Sequence, residues 1–177
     1  MKQQLAVAVI VLTMLATSPL DGLGQAGTGD GRETLTRALR GAWLPLESGL
    51  TASAREGIPL SGKYEIDEGA FQLSVYTWKA DIGAGDSFME VIVDYSTGTV
   101  AKVEAITDGG DLAAAQAQKA AMAQSRRSLA EATAAAVKSN AGYRAVSAMP
   151  NLDGGHPVAE VTLVRGDEWK VVTERLD

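Results

Sequence analysis

The chain has 177 residues, of which 46% are hydrophobic, 21% charged and 5% aromatic, and it contains no cysteine. The apolar fraction is enough for the core of one ordinary domain or of two small ones. The absence of cysteine excludes disulfides, thiolate metal sites and a thiol nucleophile. The net charge is −6, and Arg126-Arg127 is the densest basic spot. This balance argues against nucleic acids and anionic membranes as partners.

The first 26 residues have the order of a cleavable export signal. A short basic start leads into an apolar run from Leu5 to Ala16, and small residues at Gly24 and Ala26 then offer a cleavage site. The run is shorter than the roughly 20 residues that a membrane-spanning helix needs. Without cysteine the chain also lacks the residue that anchors a bacterial lipoprotein. We therefore predict an exported protein, periplasmic or secreted, with no stable membrane anchor.

Two helical segments are predicted after the signal. Residues 27–41 are expected to form a flexible polar tail or a short helix, since Leu35, Leu39 and Trp43 follow a small polar start at helical spacing. A clearer helix is predicted from Pro45 to Glu56, because proline is favoured in a first helical turn and a glycine follows its end.

Two sets of strand-like segments flank an alanine-rich stretch. The loops of the first set are too short for crossover helices, so these strands are predicted to form an antiparallel meander. The segments of the first set are 63–67, 71–79, 87–95 and 99–106. The second set consists of 143–149, 157–164 and 168–176.

The alanine-rich stretch, residues 112–138, is composed of good helix formers. We predict two helices that meet near residues 125–128, with one continuous helix as the alternative. The break is favoured because Ser128 and Glu131 have the spacing of a capping box, in which each residue satisfies a free backbone N–H group. Helix followed by meander thus occurs twice, which indicates a degenerate internal duplication.

The predicted fold class is α+β. We expect two small modules, each a helix followed by an antiparallel meander, joined by the alanine-rich helix. The predicted boundaries are 42–107 for the first module, 108–127 for the connecting helix and 128–177 for a second, shortened module.

The last turn of the first meander carries a recognisable motif. A hydrophobic strand, Met89 to Val93, runs into Asp94-x-x-Thr97-Gly98-x-Val100. This combination resembles the PepSY domain. The second unit is similar in its helix and central strand, but it lacks this turn and one closing strand. The resemblance covers roughly residues 42–177.

The turn motif has a structural rationale. We expect Asp94 to accept backbone N–H groups across the turn, Gly98 to adopt a positive φ, and Val100 to re-enter the core. None of these roles is catalytic.

The resemblance implies an envelope or extracellular setting and a possible role. PepSY domains occur in the propeptides of thermolysin-like metalloproteases, where they act as inhibitors or folding aids. They also occur in other membrane and secreted proteins. No protease domain follows here, so we expect any inhibition to act in trans.

Residues with catalytic or metal-binding chemistry are sparse. His156 is the single histidine, so it cannot form a His-rich zinc site, and no serine is marked as its nucleophile. None of the acidic loop pairs has the spacing of an EF-hand, and we interpret them as solvated turn residues. These pairs are Asp81 with Asp86, Asp108 with Asp111, Asp167 with Glu168, and Asp153 with Asn151. We therefore expect no catalytic residue, cofactor or metal, and predict that the protein is not an enzyme.

Two aromatic residues form the candidate partner-binding surface. Alternation along the second strand places Tyr76 and Trp78 on the face opposite Val75. An exposed aromatic pair on a sheet would suit a protein or a glycan. The competing interpretation is that a helix such as 112–127 covers that face and buries both.

The sequence therefore predicts an exported, non-catalytic binding or regulatory protein. We expect its partner to be another envelope or secreted protein, and protease inhibition in trans is one form that this role could take. The alternative is a small-ligand or metal-ion binding module that uses a loop such as 80–86. The sequence does not indicate the oligomeric state.

Overall fold

The computed structural model describes residues 29–81 and 85–177. The predicted export signal, 1–26, and the first two residues of the predicted tail lie outside these ranges. Within them, no helix is both long enough and apolar enough to cross a bilayer.

The described residues form four helices and seven strands. The helices are α1 (Gly29–Leu39), α2 (Leu46–Ser53), α3 (Gly109–Met122) and α4 (Leu129–Ser139). The strands are β1 (Ile58–Asp67), β2 (Ala70–Asp81), β3 (Gly85–Val93), β4 (Val100–Ala105), β5 (Arg144–Asp153), β6 (His156–Arg165) and β7 (Glu168–Arg175).

All seven strands belong to one antiparallel sheet with the order β4-β3-β2-β1-β5-β6-β7. Strands β1 to β4 form one meander and β5 to β7 another, as predicted. The two meanders meet where β1 pairs with β5, with Gly62 opposite Ala148 and Lys63 opposite Ser147. The α+β class is thus confirmed, and the two predicted units contribute to a single continuous sheet.

Helices cover both faces of this sheet. The larger core lies under α2 and α4, which pack against each other and against the sheet. Leu46 and Leu50 of α2 and Leu129 of α4 are almost fully buried there. The opposite face carries α3, whose Ala115 packs with Tyr76 and other residues in a second, smaller core. Residues that alternate along β2 therefore enter different cores, which is the period-two pattern of a strand covered on both sides.

The predicted break in the alanine-rich stretch is confirmed. Helix α3 ends at Met122 and α4 begins after Ser128, whose hydroxyl accepts a hydrogen bond from the Glu131 N–H group at 3.2 Å. The Glu131 carboxylate accepts in return from the Ser128 N–H group at 2.9 Å, which completes the capping box. The break is necessary because α3 and α4 lie on opposite faces, so the chain must pass around the sheet between them.

Several boundaries differ from the predicted ones. Helix α1 begins at Gly29, so of the two alternatives for 27–41, a flexible tail or a short helix, residues 29–39 adopt the helix. An Arg37–Glu33 ion pair at 2.9 Å and the packing of Leu39 in the core support this helix. Strand β1 begins at Ile58 and β5 continues to Asp153, because both extensions pair with a neighbouring strand despite containing proline.

Helix α2 approaches the sheet closely through two glycines. A Cβ atom at Gly49 would overlap Leu73 of β2, and one at Gly62 of β1 would lie 2.9 Å from Leu50 Cδ2. Protein cores are packed densely enough that an added methyl group without space forces side chains or backbone to shift. The absence of side chains at these two positions therefore sets the distance between helix and sheet.

We expect Gly49→Ala to lower the free energy of unfolding by about 1–3 kcal/mol, because the new methyl group would collide with Leu73. Chemical denaturation followed by circular dichroism measures this change. Gly110→Ala is the matched control, since Gly110 is also helical and has open space around its Cβ position. It should leave stability unchanged or raise it by less than about 1 kcal/mol. Equal stability of the two variants would contradict the close packing.

Candidate binding surface

Trp43 is the most exposed large apolar side chain among the described residues, with 86% of its surface accessible. It lies in the segment 40–45 between α1 and α2. Its neighbours point the other way: Ala42 is buried, and Leu44 packs against the larger core. This alternation turns the indole away from the core. Helix α1 ends before Trp43, so the predicted helical face of Leu35, Leu39 and Trp43 does not extend to the tryptophan.

Arg144 of β5 holds this segment from below. Its Nη1 atom donates to the carbonyl oxygens of Leu39 and Ala42, both at 2.9 Å, and Nη2 donates to that of Leu44 at 3.2 Å. Carbonyls at the end of a helix have no partner within the helix, and a cation is favoured there. The guanidinium group therefore satisfies the end of α1 and fixes the path of the residues that follow.

Two further contacts fix Leu44. The Tyr64 hydroxyl of β1 donates to the Leu44 carbonyl oxygen, and the Leu44 N–H group donates to the Tyr95 carbonyl at 3.0 Å. The Arg144 guanidinium carbon lies 5.5 Å from the Tyr64 ring centroid. Burial raises the pKa of Tyr64 to about 12, against the opposing effect of Arg144, so the hydroxyl remains a donor. The backbone next to Trp43 is thus fixed by hydrogen bonds to Arg144, Tyr64 and the Tyr95 carbonyl.

A shallow groove of about 330 Å³ lies beside the indole. Trp43, Pro45 and Val137 line it with apolar side chains, and Glu47 and Arg144 supply its charges. The groove lies between the start of α2 and the end of α4. The six lining residues, with Ala145 as the sixth, include no nucleophile and base in combination. Such a groove can hold an apolar side chain of another molecule.

The predicted turn motif adopts the expected geometry and supports the same segment. Asp94 Oδ1 accepts from the N–H groups of Ser96 at 2.7 Å and Thr97 at 3.0 Å. Gly98 has a φ of 74°, and Val100 packs against the larger core. The Thr97 hydroxyl lies 2.8 Å from that of Thr99. A Cβ atom at Gly98 would lie 3.1 Å from Leu44 Cδ1, so the turn also contacts the residue next to Trp43.

The predicted surface of Tyr76 and Trp78 is not open. Both do project from the face opposite Val75, but α3 covers them. Tyr76 is only 6% exposed, and its hydroxyl donates to Asp111 of α3 at 2.8 Å. Burial, together with that hydrogen bond, raises the pKa of Tyr76 well above its usual range. The competing interpretation, burial under the alanine-rich helix, therefore describes Tyr76 correctly.

Trp78 is partly covered by the same helix. Lys119 of α3 places its Nζ atom 4.5 Å from the indole centroid and forms an ion pair with Asp86. The indole N–H group donates to Asp86 at 2.8 Å. The hydrogen bonds from Lys119 and Trp78 lower the pKa of Asp86. This carboxylate is a structural link between α3 and the β2–β3 hairpin.

Two further polar candidates, His156 and Glu168, are also engaged within the protein. His156 Nδ1 lies 3.0 Å from Asp177 Oδ2, and Arg175 donates to the same carboxylate at 2.7 Å. The hydrogen bond from Arg175, followed by that from His156, lowers the pKa of Asp177 to about 2. Glu168 accepts from Arg165 and Tyr143. Across 29–81 and 85–177, no group of three or more acidic, histidine or cysteine side chains could hold a metal ion.

The sequence did not predict the exposure of Trp43 or the long-range contacts of Arg144. The signal for Trp43 was local: Gly41 and Pro45 flank it, and both favour a loop over a helix. Arg144 had no local signal, because its three acceptors lie about 100 residues earlier in the chain.

Neither the protein-family models, nor the curated proteins, nor the solved structures gave a match to this chain.

Replacing Arg144 by methionine should lower the free energy of unfolding by roughly 1.5–3 kcal/mol, the range for hydrogen bonds to a charged donor. The carbonyls of Leu39 and Ala42 would lose their bonds to Arg144. Amide hydrogen exchange should quicken in the segment 40–45 more than in the sheet. Arg126→Met, at an exposed arginine, is the matched control. Unchanged exchange in Arg144→Met would show that the arginine does not hold the segment.

The Asp94 turn should make stability depend on pH. Hydrogen bonds from the Ser96 hydroxyl and from the Ser96 and Thr97 N–H groups lower the pKa of Asp94. A carboxylate with a lowered folded-state pKa stabilises the protein fully above its unfolded pKa, and this contribution is lost as the pH falls through the folded value. Asp94→Asn should therefore be destabilising at pH 7, and its deficit should shrink as the pH falls below about 4.

Denaturation of Asp94→Asn and the parent protein across this pH range measures the effect. The same substitution at Asp67, an exposed hairpin residue, controls for the loss of one charge. A deficit that stays constant with pH would contradict a role for the Asp94 charge.

Proposed function

We propose that this is an exported, non-catalytic binding protein that contacts another envelope or secreted protein through the surface around Trp43. The observation that carries the proposal is an indole that is 86% exposed on a segment fixed by Arg144, Tyr64 and the Asp94 turn. Tryptophan is enriched among the residues that dominate binding energy at protein interfaces.

The exposed area of the indole and the rigidity of its backbone both favour binding. Covering an exposed indole removes most of its apolar area from water, which is worth on the order of 4 kcal/mol. Ordering a mobile loop on binding would offset much of this gain. Here the hydrogen bonds to Leu39, Ala42 and Leu44 already hold the backbone, so little ordering cost remains.

Charge suggests what the partner segment carries. The protein has a net charge of −6. Of the two charged residues at the groove, Arg144 already donates to three backbone carbonyls, whereas Glu47 can face a partner. Opposite charge on a partner speeds encounter and favours the correct register. We propose a protein segment that presents an apolar side chain beside a lysine or arginine.

We also propose that the chain consists of two PepSY-like modules. It is supported by α2 preceding the meander β1 to β4, by α4 preceding the meander β5 to β7, and by the turn at Asp94. The resemblance implies that modulation of a thermolysin-like protease, in trans, is one form of the binding role. We propose the Trp43 groove as the contact site for such a role.

The alternative of a ligand or ion site in loop 80–86 has less support. The Asp86 carboxylate already accepts hydrogen bonds from Trp78 and Lys119. Residues 82–84 of that loop lie outside the described residues.

Trp43→Ala tests the proposal, because removal of a largely exposed side chain should leave stability almost unchanged while it weakens binding at least tenfold. Residues 27–177 of the parent and of the variant are immobilised and exposed to periplasmic or culture extract. Proteins held by the parent are identified by mass spectrometry, purified and titrated individually. Purified thermolysin-like proteases are titrated in parallel, with inhibition as the readout.

Val171→Ala is the matched control, since Val171 is an exposed apolar residue, 61% accessible, on the edge strand β7. The expected result is a partner that binds the parent and Val171→Ala equally and binds Trp43→Ala at least tenfold more weakly. If no protein is retained, or if Trp43→Ala binds as tightly as the parent, the proposal fails.

A further inference from the structure

Among residues 29–81 and 85–177, strand β4 is an open edge of the sheet. It pairs with β3 on one side and ends the strand order on the other. Residues 101–105 are all exposed. An edge strand presents unpaired N–H and C=O groups, and these can pair with another chain.

The backbone of β4 alternates in direction. The Ile106 N–H group donates to the Phe88 carbonyl at 2.9 Å, toward the interior of the sheet. In an antiparallel ladder, alternate residues direct their backbone groups to opposite sides. Lys102 and Glu104 therefore point their backbone groups toward β3, whereas Val103 and Ala105 point theirs toward the open edge.

The residues on either side of Val103 are complementary: a lysine precedes it, a glutamate follows it, and an alanine flanks each of these charges. The order is Ala101-Lys102-Val103-Glu104-Ala105. Lys102 and Glu104 lie on one face and form an exposed ion pair at 2.7 Å, with 60% and 53% of their side-chain surfaces accessible. If a second copy of the strand ran antiparallel about Val103, each lysine would oppose the glutamate of the other copy. The two flanking alanines would likewise oppose each other.

Geometry strengthens this register. The outward backbone groups of Val103 would exchange two hydrogen bonds with Val103 of the second copy. Lys102 and Glu104 of the second copy would then form a non-hydrogen-bonded pair, in which opposing side chains come closest, about 4.5 Å between Cα atoms. Opposite charges at such positions stabilise the pairing, and like charges destabilise it.

On the other edge strand, β7, two charged side chains are engaged by other parts of the protein. Lys170 donates to Asn140 at 2.6 Å, and Glu174 lies 3.9 Å from Arg127. These charges are engaged by residues after α4 and between α3 and α4. The charged side chains of β4 instead contact each other and remain more than half exposed.

We propose that β4 is a self-association edge, through which two copies of this chain pair antiparallel about Val103 and extend the sheet across the interface. A charged edge strand usually discourages pairing. Here the charges match in one antiparallel register with a second copy, so they select that partner. The interface is independent of the proposed binding role of Trp43.

Charge reversal tests the proposal by complementation. Lys102→Glu alone would place glutamate against glutamate, and Glu104→Lys alone would place lysine against lysine. An equimolar mixture of the two variants would restore both opposite-charge pairs. Sedimentation equilibrium at loadings up to about 1 mM, where weak dimers are populated, should show dimers for the parent and for the mixture. Each single variant should show at least a tenfold loss of association.

Lys138→Glu, at an exposed residue of α4, has the same net charge as Lys102→Glu and should associate like the parent. Circular dichroism verifies that each variant is folded. A parent that remains monomeric overturns the proposal. So does association that survives both single reversals, or a mixture that fails to regain it.

Cross-linking gives a second, independent readout, because the chain has no cysteine of its own. In the proposed register the two Val103 Cα atoms lie about 5.5 Å apart, which is within the range of a disulfide. Val103→Cys should form a linked dimer under mild oxidation at least tenfold faster than Val171→Cys on the opposite edge. Equal rates for the two variants would overturn the proposed register.

Discussion

The pairing of β1 with β5 is the constraint on which the rest of the structure depends. It joins two meanders into one sheet at Gly62 and Ala148, where small residues allow α2 to lie close above. The same pairing places Tyr64 of β1 beside Arg144 of β5. Both side chains then donate to the Leu44 carbonyl. The central contact of the fold is therefore also what fixes the exposed Trp43.

The second consequence of a single sheet is that both of its faces need cover. Helices α2 and α4 cover one face and α3 covers the other, so the chain must break between α3 and α4. Arg126 and Arg127 donate through their backbone N–H groups to the Leu176 carbonyl, which ties the connection to the end of the chain. Tyr76 is buried for the same reason, because α3 lies over the centre of the sheet.

Helices cover the centre of the sheet more fully than its edges, and the exposed features of the molecule follow from this. Trp43 is exposed because the segment between α1 and α2 has its inner side filled by Ala42 and Leu44. Strand β4 is exposed because it is the last strand of its meander. In β7, Lys170 and Glu174 contact residues near α4. In β4, Lys102 and Glu104 contact each other. Within the part of the chain that the structure describes, Trp43 and β4 therefore lie outside the cover of the helices.

The sequence by itself determined the features that depend on contacts within a few residues. The capping box at Ser128, the turn at Asp94 and the alternation of β2 were predictable because their hydrogen bonds and side-chain directions are local. Only the tertiary structure decided the pairing of β1 with β5, the burial of Tyr76 and the exposure of Trp43. Each depends on residues far apart in the chain, as in the 100-residue separation between Arg144 and Leu44. Local patterns carry no record of such contacts, since one apolar stripe can be covered by several different partners.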